Sequence, residues 1–167
     1  FTAIDRADMI YLLSVAKKFI DDGRVESIRI STRPDCIDEE IVGILRSYGV
    51  KSVELGIQSS SERVLEVSGR GHGFECCKKA SALIIGAGME FVGQMMTGLP
   101  GSTKEDEIRT AEAIADMGAV AARIYPTVVF KGTKLADMTY CGGYVPMSRE
   151  EAIERTEAAF EVFAERG

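Results

Sequence analysis

The chain has 167 residues, 46% hydrophobic and 28% charged, with a formal net charge of −6. That size and apolar content specify one globular domain with a real core, and the acidity argues against a broad phosphate-binding surface. No apolar run is long enough to span a bilayer, and the start does not read as a signal peptide.

Taken in chain order, residues 5–21 form an amphipathic helix with Ile10, Leu13, Ala16, Lys17 and Ile20 near helical spacing, stopped at Asp22-Gly23. Residues 25–33 read as a strand that Pro34 ends by denying a ladder donor. Asp38 caps the next helix, whose stripe is Ile41, Ile44, Leu45 and Tyr48, with Gly49 at its C′ position. A strand over 51–58 follows, with Val53, Leu55 and Ile57 on one side and Glu54, Gly56 and Gln58 on the other. The serines 59–61 stop it and cap a short helix that ends at Gly69, and Arg70 and His72 lie in the glycine-spaced loop beyond. A helix spans 74–85, a strand 90–96, and a tight loop 97–102 leads to a helix whose capping box is Thr103 with Asp106. Residues 119–130 read as a long strand, and a glycine-rich loop through Gly132, Gly142 and Gly143 leads to a final helix over 148–166. The chain opens at Phe1 rather than Met and closes just after a helix, so it reads as a unit excised from something longer.

Strands alternating with helices predict an α/β fold with a parallel sheet and right-handed crossovers. Four strands do not close a barrel, which takes about eight. The expectation is therefore an open sheet or an arc of a barrel whose first strands are missing.

A parallel sheet covered on both faces is apolar on both faces. Here one phase of every strand is polar: Arg29, Ser31 and Arg33; Glu54 and Gln58; Glu90 and Gln94; Arg123, Tyr125 and Thr127. These side chains are expected to pair with one another, as Glu54 with Arg29, or with a ligand. Ser31, Gln58, Gln94 and Thr127 stand at strand ends, where sites in this architecture form. Glu54 and Glu90 are expected deep in the strands, which disfavours an ordinary barrel enzyme using either as a base.

Other motifs carry less. Residues 98–104 only faintly resemble a phosphate loop and fit a tight βα turn better. Glu105-Asp106-Glu107 reads as a solvated first helical turn. His72, the single histidine, has no partner at metal-ligand spacing. Cys36, Cys76, Cys77 and Cys141 are too few and scattered for a disulfide scaffold and read as reduced thiols of a cytoplasmic protein.

Five motifs in order, Ile-Ser-Thr-Arg-Pro-Asp (30–35), Glu-Leu-Gly-Ile-Gln-Ser (54–59), Gly-Arg-Gly-His (69–72), Met-Thr-Gly-Leu-Pro-Gly (96–101) and Arg-Ile-Tyr-Pro-Thr-Val-Val (123–129), make the chain resemble the radical S-adenosylmethionine (SAM) superfamily. The branch it resembles is that of the Elongator catalytic subunit, with oxygen-independent coproporphyrinogen oxidases as more distant relatives. The resemblance implies a four-stranded part of a partial (β/α)6 TIM-like barrel. It also implies an iron–sulfur oxidoreductase binding SAM beside a 4Fe-4S cluster fed by a reductant, and radical chemistry on an unknown substrate, transfer RNA or a small molecule. By position, Gln58 and Arg70 would hold the ribose and carboxylate end of SAM. Ser31 and Gln94 stand where relatives carry acidic residues, Tyr125, Pro126 and Thr127 would lie along the adenine, and Arg33 would stand nearby.

The family's Cys-x3-Cys-x2-Cys cluster loop and its glycine-rich motif after the second strand are absent from the sequence. Residues 1–167 thus read as the C-terminal part of a radical SAM barrel, inactive alone, with the cluster ligands outside this chain and no acetyltransferase domain. The competing expectation is a non-catalytic SAM-binding or scaffold module. Either way the edge of the strand over 25–33 is expected to be bare and able to pair with another copy.

Overall fold

The computed structural model describes residues 1–166. Four strands, β1 (Ile28–Thr32), β2 (Val50–Gln58), β3 (Glu90–Thr97) and β4 (Ala121–Pro126), form one sheet in the order 1-2-3-4, parallel throughout. The helices are α1 (Arg6–Asp21), α2 (Glu39–Ser47), α3 (Glu62–Val67), α4 (Phe74–Gly86), α5 (Lys104–Asp116), α6 (Lys134–Tyr140) and α7 (Arg149–Arg166), with a 3-10 turn at Pro34–Cys36. The alternation of strand and helix therefore produces the expected α/β parallel sheet.

The core lies between the helices and the apolar side of the sheet. Val53, Leu55 and Ile57 of β2 and Phe91 and Met95 of β3 are buried against Leu45 of α2, Ile84 of α4 and Ile114 of α5. Each such side chain contributes roughly 1.5–3 kcal/mol of transfer free energy. Gly93 lets α5 approach β3 closely, because a Cβ there would collide with Ile114. Local signals set the helix ends. Asp5 accepts from Ala7 N at 2.8 Å, Asp38 from Ile41 N at 2.7 Å, and Thr103 and Asp106 form the expected capping box.

Several expectations are corrected. Met9, outside the predicted stripe, is buried beside Leu13 in α1, and both join the core cluster. Ser61 sits at the N-cap of α3, but its side chain makes no capping bond. The last strand ends at Pro126 instead of running to residue 130. Its neighbour β3 stops at Thr97, so no backbone remains to pair with residues beyond Thr127. The glycine-rich loop holds the helix α6, capped by Thr133 and closed by Gly142 at φ 74°.

Glu105-Asp106-Glu107 is not a solvated turn: Asp106 and Glu107 are buried. Glu90 lies at the N-terminal opening of β3, 3.9 Å from Lys51, and not deep in the sheet. At the end of β1, the Phe1 nitrogen donates to Ser31 O at 2.9 Å and Thr2 N to Thr32 Oγ1 at 3.1 Å. Among the described residues, no helix is long and apolar enough to cross a membrane.

Candidate functional site

Polar side chains climb the open side of the sheet from strand starts to strand ends. Lowest is Glu54, only 3% exposed, with Arg29 Nη2 2.6 Å and Arg123 Nε 3.2 Å from the same oxygen, Oε2. This includes the expected Glu54–Arg29 pair. Arg123 Nη1 also donates to Tyr125 Oη at 3.3 Å, which helps hold the guanidinium charged.

Above this pair Gln94 Nε2 donates to Gln58 Oε1 at 3.4 Å. Gln58 ends β2 at φ 71°, the single non-glycine residue with positive φ among those described. The register with β3 slips between Gly56 and Gln58, a bulge that re-aims the last side chain. Gly56 leaves the room this needs, since a Cβ there would lie 2.7 Å from Gln58 Nε2. A residue held in left-handed backbone at a strand end costs about 1–3 kcal/mol and is a mark of a functional position.

Highest is Arg70, brought over the sheet by the loop after α3. Its Nη2 donates to Met96 Sδ at 3.0 Å, while its Nε is buried without a partner. Burial pulls its pKa down, and no carboxylate faces it among the described residues. A guanidinium held this way is incomplete until an acceptor arrives.

The remaining predicted residues divide. Ser31 is exposed on β1 opposite Glu54 in register and is not bonded to Gln58 or Gln94. Arg33 is tied to Asp35 through Nε at 2.9 Å and Nη2 at 2.6 Å. That pair raises the arginine and holds the Asp35 carboxyl below its ordinary range. Arg33 passes beside the Arg70 loop, 3.6 Å from where a Cβ on Gly71 would stand. Thr127 is buried and its hydroxyl donates to Thr97 O at 2.7 Å, so it secures the strand end rather than standing free. Pro126 points the other way. With Ala122 and Ile124 it lines an apolar groove of about 900 Å³ against Ile153 and Phe160 of α7. Strand-end polar groups do not converge on that groove, so the candidate site is the open face instead.

The cysteines do not form a cluster site. Burial, with a further push from Cys76, raises the Cys77 thiol to about 12, and a thiol that stays protonated is a packing group. His72 Nδ1 lies 3.8 Å from Cys77 Sγ, and burial lowers its pKa although Asp35 pulls the other way. No group of three His, Cys, Asp or Glu among the described residues is placed to hold a metal. SAM is different: its carboxylate and ribose hydroxyls match the unpaired Arg70 donor and the Gln58 amide.

One arrangement was not legible beforehand. Glu107 accepts from Gly98 N at 2.6 Å and Ser102 Oγ at 3.0 Å, and Arg155 of α7 grips it through Nε and Nη2 at 2.8 and 2.5 Å. Tyr144 Oη donates to Gly98 O at 2.7 Å. The turn that faintly resembles a phosphate loop thus has its N–H taken by the protein's own carboxylate. The only advance signal was Ser102-Thr103 ahead of the acidic run.

Residues 2–114 match the model of the Radical SAM superfamily, and residues 120–166 match a radical SAM C-terminal domain. A tRNA uridine(34) acetyltransferase of Methanocaldococcus jannaschii is 35% identical over 134 residues, 78% of this chain and 25% of that protein. An uncharacterized protein of the same organism is 34% identical over 133 residues, covering 77% of this chain and 41% of that one. The chain thus spans well under half the length of these relatives. The archaeal Methanocaldococcus infernus Elp3 structure superposes with a TM-score of 0.75 at 34% identity, over 80% of this chain and 32% of that one. Escherichia coli coproporphyrinogen III oxidase gives the same TM-score, 0.75, at 14% identity over 98% of this chain and 38% of that one, a likeness of fold alone. Sequence and architecture together place this chain in the radical SAM superfamily, enzymes of TIM-barrel-like fold that use S-adenosylmethionine with a 4Fe-4S cluster.

Proposed function

We propose that residues 1–167 form the C-terminal part of a radical SAM barrel domain and supply one wall of its SAM site. The observation that carries this reading is Arg70, half-buried over the strand ends with Nε unpartnered and no carboxylate opposite it. In this reading Arg70 takes the SAM carboxylate and Gln58, oriented by Gln94, takes the ribose hydroxyls. Tyr125 and the backbone of Pro126 and Thr127 flank the adenine, with Ser31 and Arg33 at the rim. Bound SAM supplies the source of a substrate radical. These residues orient the cofactor and leave cluster ligation to protein outside residues 1–167, so the segment alone is inactive.

The substrate class proposed is transfer RNA, because relatives at 34–35% identity carry the name tRNA uridine(34) acetyltransferase. A small molecule is the alternative. A cytoplasmic location, a reductant for the cluster and self-association through a sheet edge belong to the same proposal.

Calorimetric titration with SAM tests the reading. Binding by the unaltered chain, weakened about tenfold or more in Arg70→Gln, supports it. Binding that ignores Arg70 and Gln58 sinks it. A longer form with an upstream cysteine triplet, reconstituted anaerobically, is expected to release 5′-deoxyadenosine. SAM binding without that product would favour a non-catalytic SAM module.

A further inference from the structure

The chain is acidic overall, at −6, yet its open face is not. Four guanidiniums, Arg29, Arg33, Arg70 and Arg123, stand there against two carboxylates, Glu54 and Asp35. Asp35 is spent on Arg33 in a two-bond pair. Glu90 does not help, being at the strand start beside Lys51. Arg29 and Arg123 therefore share one carboxylate, and both contact the same oxygen of it.

These two side chains are 43% and 47% exposed, while Glu54 beneath them is buried. A guanidinium has five N–H donors. Arg29 gives one to Glu54, and Arg123 faces Glu54 with Nε and gives Nη1 to Tyr125. The rest remain available over the open side of the sheet. SAM does not settle the charge. Its single carboxylate suits Arg70, and its sulfonium and ammonium groups add positive charge to the same face.

We propose that Arg29 and Arg123 form a seat for an oxyanion of the substrate, a phosphate or a carboxylate, with Glu54 holding the two guanidiniums side by side beneath it. This rests on the reading of the open face as the reaction chamber, and it narrows the substrate class to one bearing such an anion. Planar, fixed guanidiniums recognise both oxyanions through paired N–H bonds. Glu54 has two opposed effects: it positions the arginines, and its charge competes with the incoming anion.

The test is a titration of the full chain with inorganic phosphate and, separately, succinate, followed by nitrogen-resolved NMR of arginine side chains at physiological salt. The expected result is saturable movement of the Arg29 and Arg123 Nε signals together. Arg29→Gln and Arg123→Gln each weaken binding about tenfold, the loss of one charge-assisted bond. Glu54→Gln, where it folds, tightens binding, which a purely structural ion pair would not do. Tighter phosphate binding assigns the anion to a nucleotide-like group, and tighter succinate binding to a small carboxylate. Signals that stay still, or that move only at other arginines and persist in both Arg→Gln variants, overturn the inference. SAM titration in the absence of added anion is read separately, so failure of the cofactor reading and failure of the anion seat are distinguishable.

Discussion

Arg155 closes on Glu107 across 48 positions of sequence, and in the folded chain their side chains are 11% and 3% exposed. Burial works most strongly against the Arg155 charge, but the hydrogen bonds and charges of Glu107 and Glu151 together offset it and leave the arginine above its ordinary pKa. Removing one partner strands the other. Glu107→Ala is expected to cost about 3–5 kcal/mol, read by urea denaturation. The double variant Glu107→Leu with Arg155→Met is expected to recover part of that loss, and a double variant no better than the single would show that the turn needs the carboxylate itself.

Gln58 offers a separation of stability from binding. Its φ of 71° is free to glycine and strained for glutamine. Gln58→Gly should leave thermal stability equal or higher, by about 1 kcal/mol, while SAM affinity falls. A drop in both would mean that the amide contributes to the fold.

Arg70 predicts the same trade in stronger form. Its half-buried guanidinium lacks an anion, so Arg70→Met should stabilise the chain by roughly 1 kcal/mol. Calorimetric melting reads the gain, and SAM titration the expected loss of affinity. A destabilised Arg70→Met chain would mean that the bond to Met96 matters more than desolvation.

His72 gives a pH signature. Burial holds its pKa below the ordinary 6.5. The unfolded chain therefore takes up this proton first as pH falls, so the contribution is whole above about 6.5 and is lost as pH drops through the folded value. Melting temperature should decline across that window and less so in His72→Gln. The Asp35 contribution also fades on acidification, but only below its ordinary 3.8, so the two steps are separable. A melting profile identical in His72→Gln would exclude the imidazole as the cause.

What the sequence disclosed was what short range determines. The period-two phases of β1 to β4 and the caps at Asp38 and Thr103 are encoded within a few residues, and the structure repeats them. The polar phase led to Gln58 and Gln94 and the glycine-spaced loop to Arg70, and the fold brings the three to one face. What it hid was set by distant neighbours. Glu107 resembles any acid in a first helical turn until α7 returns with Arg155. The strand predicted to reach residue 130 lost its end because β3 stops at Thr97. Pro126 belongs to the opposite phase from Tyr125, so its ring meets α7 and only its backbone is left for the candidate site.

The slip in pairing falls between Gly56 and Gln58, so Ile57, the last core residue of β2, is the extra residue of the bulge and still stays buried. Val53 and Leu55 keep their alignment with Phe91 and Gly93, and only the end of the strand from Ile57 turns away. A mutational scan of this segment should break sharply at one position: substitutions through residue 57 would be felt by the melt, and those at residue 58 by cofactor occupancy. Specificity can then drift at the tip of the strand without reopening the interior.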